Sequence, residues 1–153
     1  MKVLKGIGYW LLSLTWGCLF TIPGLLVLLF FVVFTRCKVH KNGYGFIIEV
    51  GGNWGGYSLG PVSLCGRYSQ ENGPCYDVGW YEYTRRHEFG HSLQNIMFGP
   101  FMLFLVEIPS IIRYHYYNYR INRNLPVKEY DSIWFEGTAS AWGSNAVERV
   151  ESV

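Results

Sequence analysis

His87 and His91 stand four residues apart in the stretch TRRHEFGHSL, with Glu88 directly after the first. On an α-helix, residues i and i+4 point the same way, so the two imidazoles converge on one point. That convergence suits Zn2+, whose bonds to histidine nitrogen measure about 2.0–2.1 Å. Glu88 is turned by roughly 100° from His87 about the helix axis. It is poorly placed to join as a ligand and well placed to take a proton from water activated by the metal. An H-E-x-x-H run therefore couples two ligands and a general base in one helical turn. The same letters also arise by chance in a surface turn with two solvated histidines, so the rest of the chain must supply the missing parts.

A catalytic zinc needs a third protein ligand and one open position. His40, His115, Glu107, Asp131 and Glu136 are the candidates by type. Glu136 fits best. Ile133, Glu136, Ala139 or Ser140, Gly143 and Val147 fall on one stripe of a helix that begins after Asp131 or Ser132, either of which could cap it. A carboxylate on a core-facing stripe is costly without a partner. A metal would be such a partner, and Arg85 or Arg86 is the alternative. Ala139 and Gly143 are small enough to let this helix lie close to the histidine helix.

HEFGH at 87–91 followed by WFEGTAS at 134–140 resembles the zincin metallopeptidases of the gluzincin type. In that family H-E-x-x-H is completed by a Glu in an E-x-x-[AS]-D helix. The resemblance implies that His87, His91 and Glu136 are metal ligands and that Glu88 is the base. The chain departs where the family's Asp would fall, at Ser140. Ser can accept a hydrogen bond from a ligand imidazole but brings no charge. The whole arrangement is also similar to small membrane-anchored bacterial proteins with an H-E-x-G-H motif. The metzincin pattern fails, because Gln94 and Met97 stand where its Gly and His belong.

Several elements must position these residues. A helix is expected from near Trp80 through Met97, ended by Gly99-Pro100. Phe46 to Val50 and Tyr57 to Leu64 read as strands joined by GGNWGG, giving a small hairpin or three-stranded sheet. RYSQENGPCYDVG reads as loop. Phe101 to Ile112 is apolar but short for a span, and reads as a core helix or a segment lying against a bilayer. RYHYYNYR after it has the aromatic and basic character of a membrane interface.

The 153 residues suffice for one domain with one core. Half of them are apolar and 18% aromatic, which excludes a disordered chain. A net charge of +2 with no basic tract gives no reason to expect nucleic acid. Ile7 to Phe34 carries no charge over 28 residues, where a spanning helix needs about 20. Residues 1–36 therefore read as an uncleaved membrane anchor, single-pass or folded as a hairpin at Pro23-Gly24. Residues 37–153 read as the metallopeptidase-type domain. Lys2 and Lys5 before the run, against Arg36, Lys38 and Lys41 after it, lean by one charge towards a cytoplasmic domain. Cys65 and Cys75 could pair in an oxidising space, with two reduced thiols the favoured reading. An intramembrane zinc protease is rejected, because YEYTRR before the motif is costly in hydrocarbon.

The expectation is thus an α+β protein with a membrane anchor, a small sheet and zincin-like helices. Its partners would be membrane lipid and a peptide or protein substrate near the membrane surface. Its function would be zinc-dependent peptide hydrolysis with Glu88 as base. The alternative is a non-catalytic membrane protein with a structural or regulatory zinc site. Membrane fractions should retain the protein through a carbonate wash with its N-terminus intact. Release into the supernatant, or a mature start near residue 35, would contradict the anchor.

Overall fold

A computed structural model describes residues 2–51, 55–67 and 78–151. Cys75, the middle of GGNWGG and most of RYSQENGPCYDVG lie outside these residues. The described elements run α1 (Lys2–Thr15), α2 (Cys18–Phe34), β1 (Lys38–Asn42), β2 (Gly45–Gly51), β3 (Gly56–Leu59), β4 (Val62–Arg67), α3 (Val78–Phe98), a 3-10 turn (Gly99–Phe101), a π-helical turn (Leu103–Glu107), α4 (Ile108–Asn122), a second 3-10 turn (Tyr130–Ser132) and α5 (Trp134–Glu151). The chain is a mixed α+β fold.

The described strands form one four-stranded sheet in the order β1-β2-β4-β3. The expected strand from Tyr57 to Leu64 is two strands. Gly60 takes a φ of +60°, available to glycine without steric cost, and the chain reverses there. β3 and β4 then pair antiparallel, with Ser58 opposite Ser63. β1 was not anticipated, because KVHKN has the polar look of a loop. It pairs with β2 across a turn at Gly43, where φ is +58°. β2 and β4 run parallel, Ile48 facing Leu64. β3 is thereby left at the sheet's edge.

The uncharged N-terminal run is not one rod. It breaks at Trp16 and Gly17, and α1 and α2 are bent by 102°. α2 has 17 residues, about 26 Å at 1.5 Å per residue, against a hydrocarbon thickness near 30 Å. No single helix among the described residues is long and apolar enough to cross a membrane. The bend falls at Gly17, and the helix continues through Pro23. Asn95 of α3 explains Gly17: its amide donates to the Gly17 carbonyl at 3.3 Å, and a Cβ on Gly17 would lie 2.4 Å from that amide nitrogen. Gly24 serves a different contact. A Cβ there would stand 2.2 Å from the Leu59 carbonyl oxygen, so glycine lets α2 lie directly on the sheet.

α3 sits at the centre, between α1, the sheet and α5. Phe89 joins Tyr9 and Val147 in a buried cluster, and its ring fills the space above Gly43. The Tyr9 hydroxyl is hydrogen-bonded to Ser92. Much of the polar surface of α3 is buried too: Thr84, His87, Glu88, His91, Ser92, Gln94 and Asn95 are all inside. Buried polar groups persist only with partners, and the neighbouring elements provide many of them.

Among the described glycines, the tightest contacts are between α3 and α5. A Cβ on Gly90 would lie 1.8 Å from the Ala139 carbonyl oxygen, and one on Gly143 1.8 Å from that of Arg86. Neither backbone atom can step aside as a flexible side chain can. Gly90→Ala or Gly143→Ala should therefore cost about 3 kcal/mol or more. In a thermal unfolding scan that is a fall in Tm of roughly 6–12 °C for a chain of this size. A Tm within 2 °C of wild type would contradict the packing described.

Candidate metal centre

α3 carries His87 and His91 on the face that meets α5, and the core-facing stripe of α5 carries Glu136, which is fully buried. The three side chains meet. His87 Nε2 and His91 Nε2 are 3.0 Å apart, and Glu136 Oε2 lies 3.1 Å from the first and 3.4 Å from the second. Ligand atoms around a tetrahedral ion with bonds of about 2.0–2.1 Å are separated by roughly 3.3 Å. The observed triangle has that size. The group is within metal-binding distance, each member offering one ligand atom.

The hydrogen bonds fix which ring nitrogens can bind a metal. Gln94 donates its amide to the Phe135 carbonyl at 2.7 Å and to Thr138 Oγ1 at 2.8 Å. Its oxygen must then be what faces His91 Nδ1 at 2.8 Å, so that nitrogen carries the proton. Ser140 donates to Asp131 Oδ2 at 2.7 Å, so it accepts from His87 Nδ1 at 2.7 Å. Both imidazoles are thereby held with Nε2 facing the other ligand atoms. Three electron-rich atoms at these distances require a positive charge among them. Burial alone would lower the His91 imidazole, but Glu136 and Glu88 reverse this and push it up to about 9. Burial alone would raise Glu136, while hydrogen bonds from the two imidazoles hold it well below the usual carboxylate range. A proton on His91 and a divalent cation are two answers to the same demand, and metal entry displaces the proton.

The remaining oxygen of Glu136 is also held. Ser110 donates to Oε1 at 2.5 Å and Tyr130 at 3.2 Å. Glu136 does not pair with Arg85, which is bonded to Glu82 at 2.7 Å. Of the other candidate ligands, His40 pairs with Glu49 on the sheet at 3.0 Å, and Asp131 stands one step back behind Ser140. Glu107 and His115 line the same cavity as the triad. Cys65 is buried, which pushes its thiol up to about 12 and leaves it unreactive.

Glu88 follows His87 on α3 and is 4% exposed. Its Oε1 rests against Gly56 of β3, where a Cβ would come within 2.4 Å. Its Oε2 is buried without a hydrogen-bond partner. Burial raises its pKa. A cavity of about 460 Å3 opens over the triad, with Glu88, Glu107 and Gly55 to Ser58 in its wall. Tyr130, Tyr114 and His115 also border it.

Two supporting residues escape sequence reasoning. Gln94 is three residues past His91 on the same helix face, a visible spacing. Asp131 is not visible in this role, since its partners Tyr83, at 2.5 Å, and Ser140 are brought to it only by folding. Asp131 supplies through Ser140 the negative charge that Ser140 itself lacks.

Partners of ligand imidazoles typically affect metal affinity by about 10- to 100-fold. Asp131→Asn and Ser140→Ala should each weaken metal binding by about that factor. Because the two act in series, the double variant should lose no more than the worse single one. His87→Ala, His91→Ala and Glu136→Gln should lose far more. Metal titration against a competing chelator measures all six, and additive losses for Asp131 and Ser140 would break the relay.

No protein-family model matches this chain, and no curated protein and no solved structure matches it. What identifies the centre is the geometry of His87, His91 and Glu136.

Proposed function

We propose that the protein is a membrane-associated, zinc-dependent peptide hydrolase of the zincin type, with His87, His91 and Glu136 as ligands and Glu88 as general base. The observation that carries this reading is the convergence of His87 Nε2, His91 Nε2 and Glu136 Oε2 beneath a cavity that has Glu88 in its wall. Two imidazoles and one carboxylate are a catalytic zinc set, whereas structural zinc sites fill all four positions from the protein. Here all three candidate ligands line the cavity, which would leave room for water or substrate beside a bound ion.

Bound zinc would supply Lewis acidity to water and to a substrate carbonyl. The chain's own residues do the rest. Glu88 takes a proton from water as its oxygen attacks the peptide carbon. It returns that proton to the amide nitrogen as the C–N bond breaks, and the second proton of the water follows, leaving a carboxylate and an ammonium group. Tyr130 commits its hydroxyl proton to Glu136, so Tyr114 and His115 in the cavity wall are the donors offered to the carbonyl oxygen. Ser110 and Tyr130 fix Glu136, while Ser140 with Asp131 and Gln94 fix the imidazoles.

A peptide substrate is supported by β3. It is one of the two edge strands of the sheet, and Gly55 to Ser58 line the cavity beside the triad. An edge strand offers unpaired N–H and C=O groups to which an extended peptide can add. Membrane association is supported by the apolar surface. Leu26, Leu29, Phe30, Val32, Val33 and Phe34 of α2 are each more than half exposed, as are Phe101, Phe104 and Ile112 near α4. Apolar surface of this extent marks contact with lipid or a partner, and the bent α1–α2 pair fits a hairpin dipping into the bilayer.

Glu88→Gln tests the reading. The amide keeps the shape of the side chain but cannot accept a proton. The zinc-loaded variant in detergent should keep its metal while cleaving membrane-proximal peptides about 10^2- to 10^4-fold more slowly. Wild-type rates in this variant, or no cleavage by zinc-loaded wild type, would leave a structural or regulatory zinc site as the surviving alternative.

A further inference from the structure

The peptidase reading leaves Glu107 without a task. It ends the π-helical turn Leu103–Glu107, between Phe101 and α4. Such widened turns are rare and are frequent at functional sites. This one delivers a carboxylate that is 6% exposed into the cavity wall. Tyr57 of β3 lines the same cavity. Burial raises its pKa to about 7, so holding it ionised needs a further favourable contact.

The charge inventory points to what that contact is. Glu88, Glu107 and Glu136 line the cavity, and no Lys or Arg among the described residues does. One divalent ion against three carboxylates leaves one negative charge over. Glu107 is not part of the ligand triad, so the surplus is its own. Aromatic rings of Tyr57, Trp80 and Tyr114 stand around the same space, and their faces favour cations.

Glu107 and Tyr57 both line the cavity that holds the triad and Glu88. We propose that Glu107 and Tyr57 form a subsite for a primary ammonium group of the peptide within this cavity. The ammonium is either the free amino terminus or a lysine side chain. This inference rests on the peptidase reading and fixes its substrate class.

Binding to zinc-loaded Glu88→Gln protein, which holds substrate without turning it over, separates the possibilities. Three short peptides of otherwise equal sequence serve as probes: one with a free amino terminus, one N-acetylated, and one N-acetylated with a single internal lysine. An ion-paired hydrogen bond of this kind is worth roughly tenfold or more in Kd. The free-amine or the lysine peptide should bind at least tenfold more tightly than the acetylated one, and which of them does so identifies the source of the ammonium. Adding Glu107→Gln should erase that preference, leaving the Kd of the acetylated peptide and the zinc content unchanged. Equal binding of all three peptides, or a Glu107→Gln loss shared equally by all three, would overturn the subsite while leaving the peptidase reading in place. No binding of any peptide would remove both.

Discussion

Two glycines hold the site together. Gly90 on α3 and Gly143 on α5 let the backbones of these helices touch, each against a carbonyl oxygen of the other. Nothing wider would bring Glu136 within 3.4 Å of both imidazoles. A single added methyl group at either glycine would force the helices apart. The ligand distances, the hydrogen bond from Gln94 to Phe135 and the Ser140–His87 contact all cross this same seam. Metal binding and the docking of α5 are therefore one event, and either should report on the other.

Burying this many ionisable groups is costly unless each is answered. The protein answers them in layers. Glu136 has the imidazoles on one oxygen and two hydroxyls on the other. His91 has Gln94, which is itself anchored twice on α5. His87 has Ser140, backed by Asp131 and then Tyr83. Glu88 Oε2 and Asp131 Oδ1 are buried without a hydrogen-bond partner.

The parts of the site set by local spacing were legible from the sequence. His87, Glu88 and His91 share one helical turn, and Glu136 showed itself because Ala139, Gly143 and Val147 recur with it at helical intervals. Glu136, Ala139, Gly143 and Val147 proved buried, while Ile133 at the head of the stripe is half-buried and precedes α5. What depends on remote contacts was not legible. Asp131 read as a possible cap or ligand, while its actual partners lie on α3 and midway along α5. The parallel pairing of β2 with β4 needs the chain to cross the sheet, which no short pattern records. β1 hid behind lysines and a histidine, as an exposed edge strand does. The reversal at Gly60-Pro61 carried an ordinary turn signal within a run whose residues favour strands. The break at Gly17 owes more to Asn95, 78 residues away, than to its own neighbours.

That break changes how the flanking charges count. For a straight span, Lys2 and Lys5 would face one compartment and Arg36, Lys38 and Lys41 the other, almost cancelling. A pair of helices bent by 102°, entering a bilayer as a re-entrant loop, returns to the leaflet it came from. In the membrane reading proposed above, the two groups of basic residues then share one face. Five positive charges act together, on the anionic inner leaflet that attracts them. The topology of such a protein would be set without translocating any segment across the membrane.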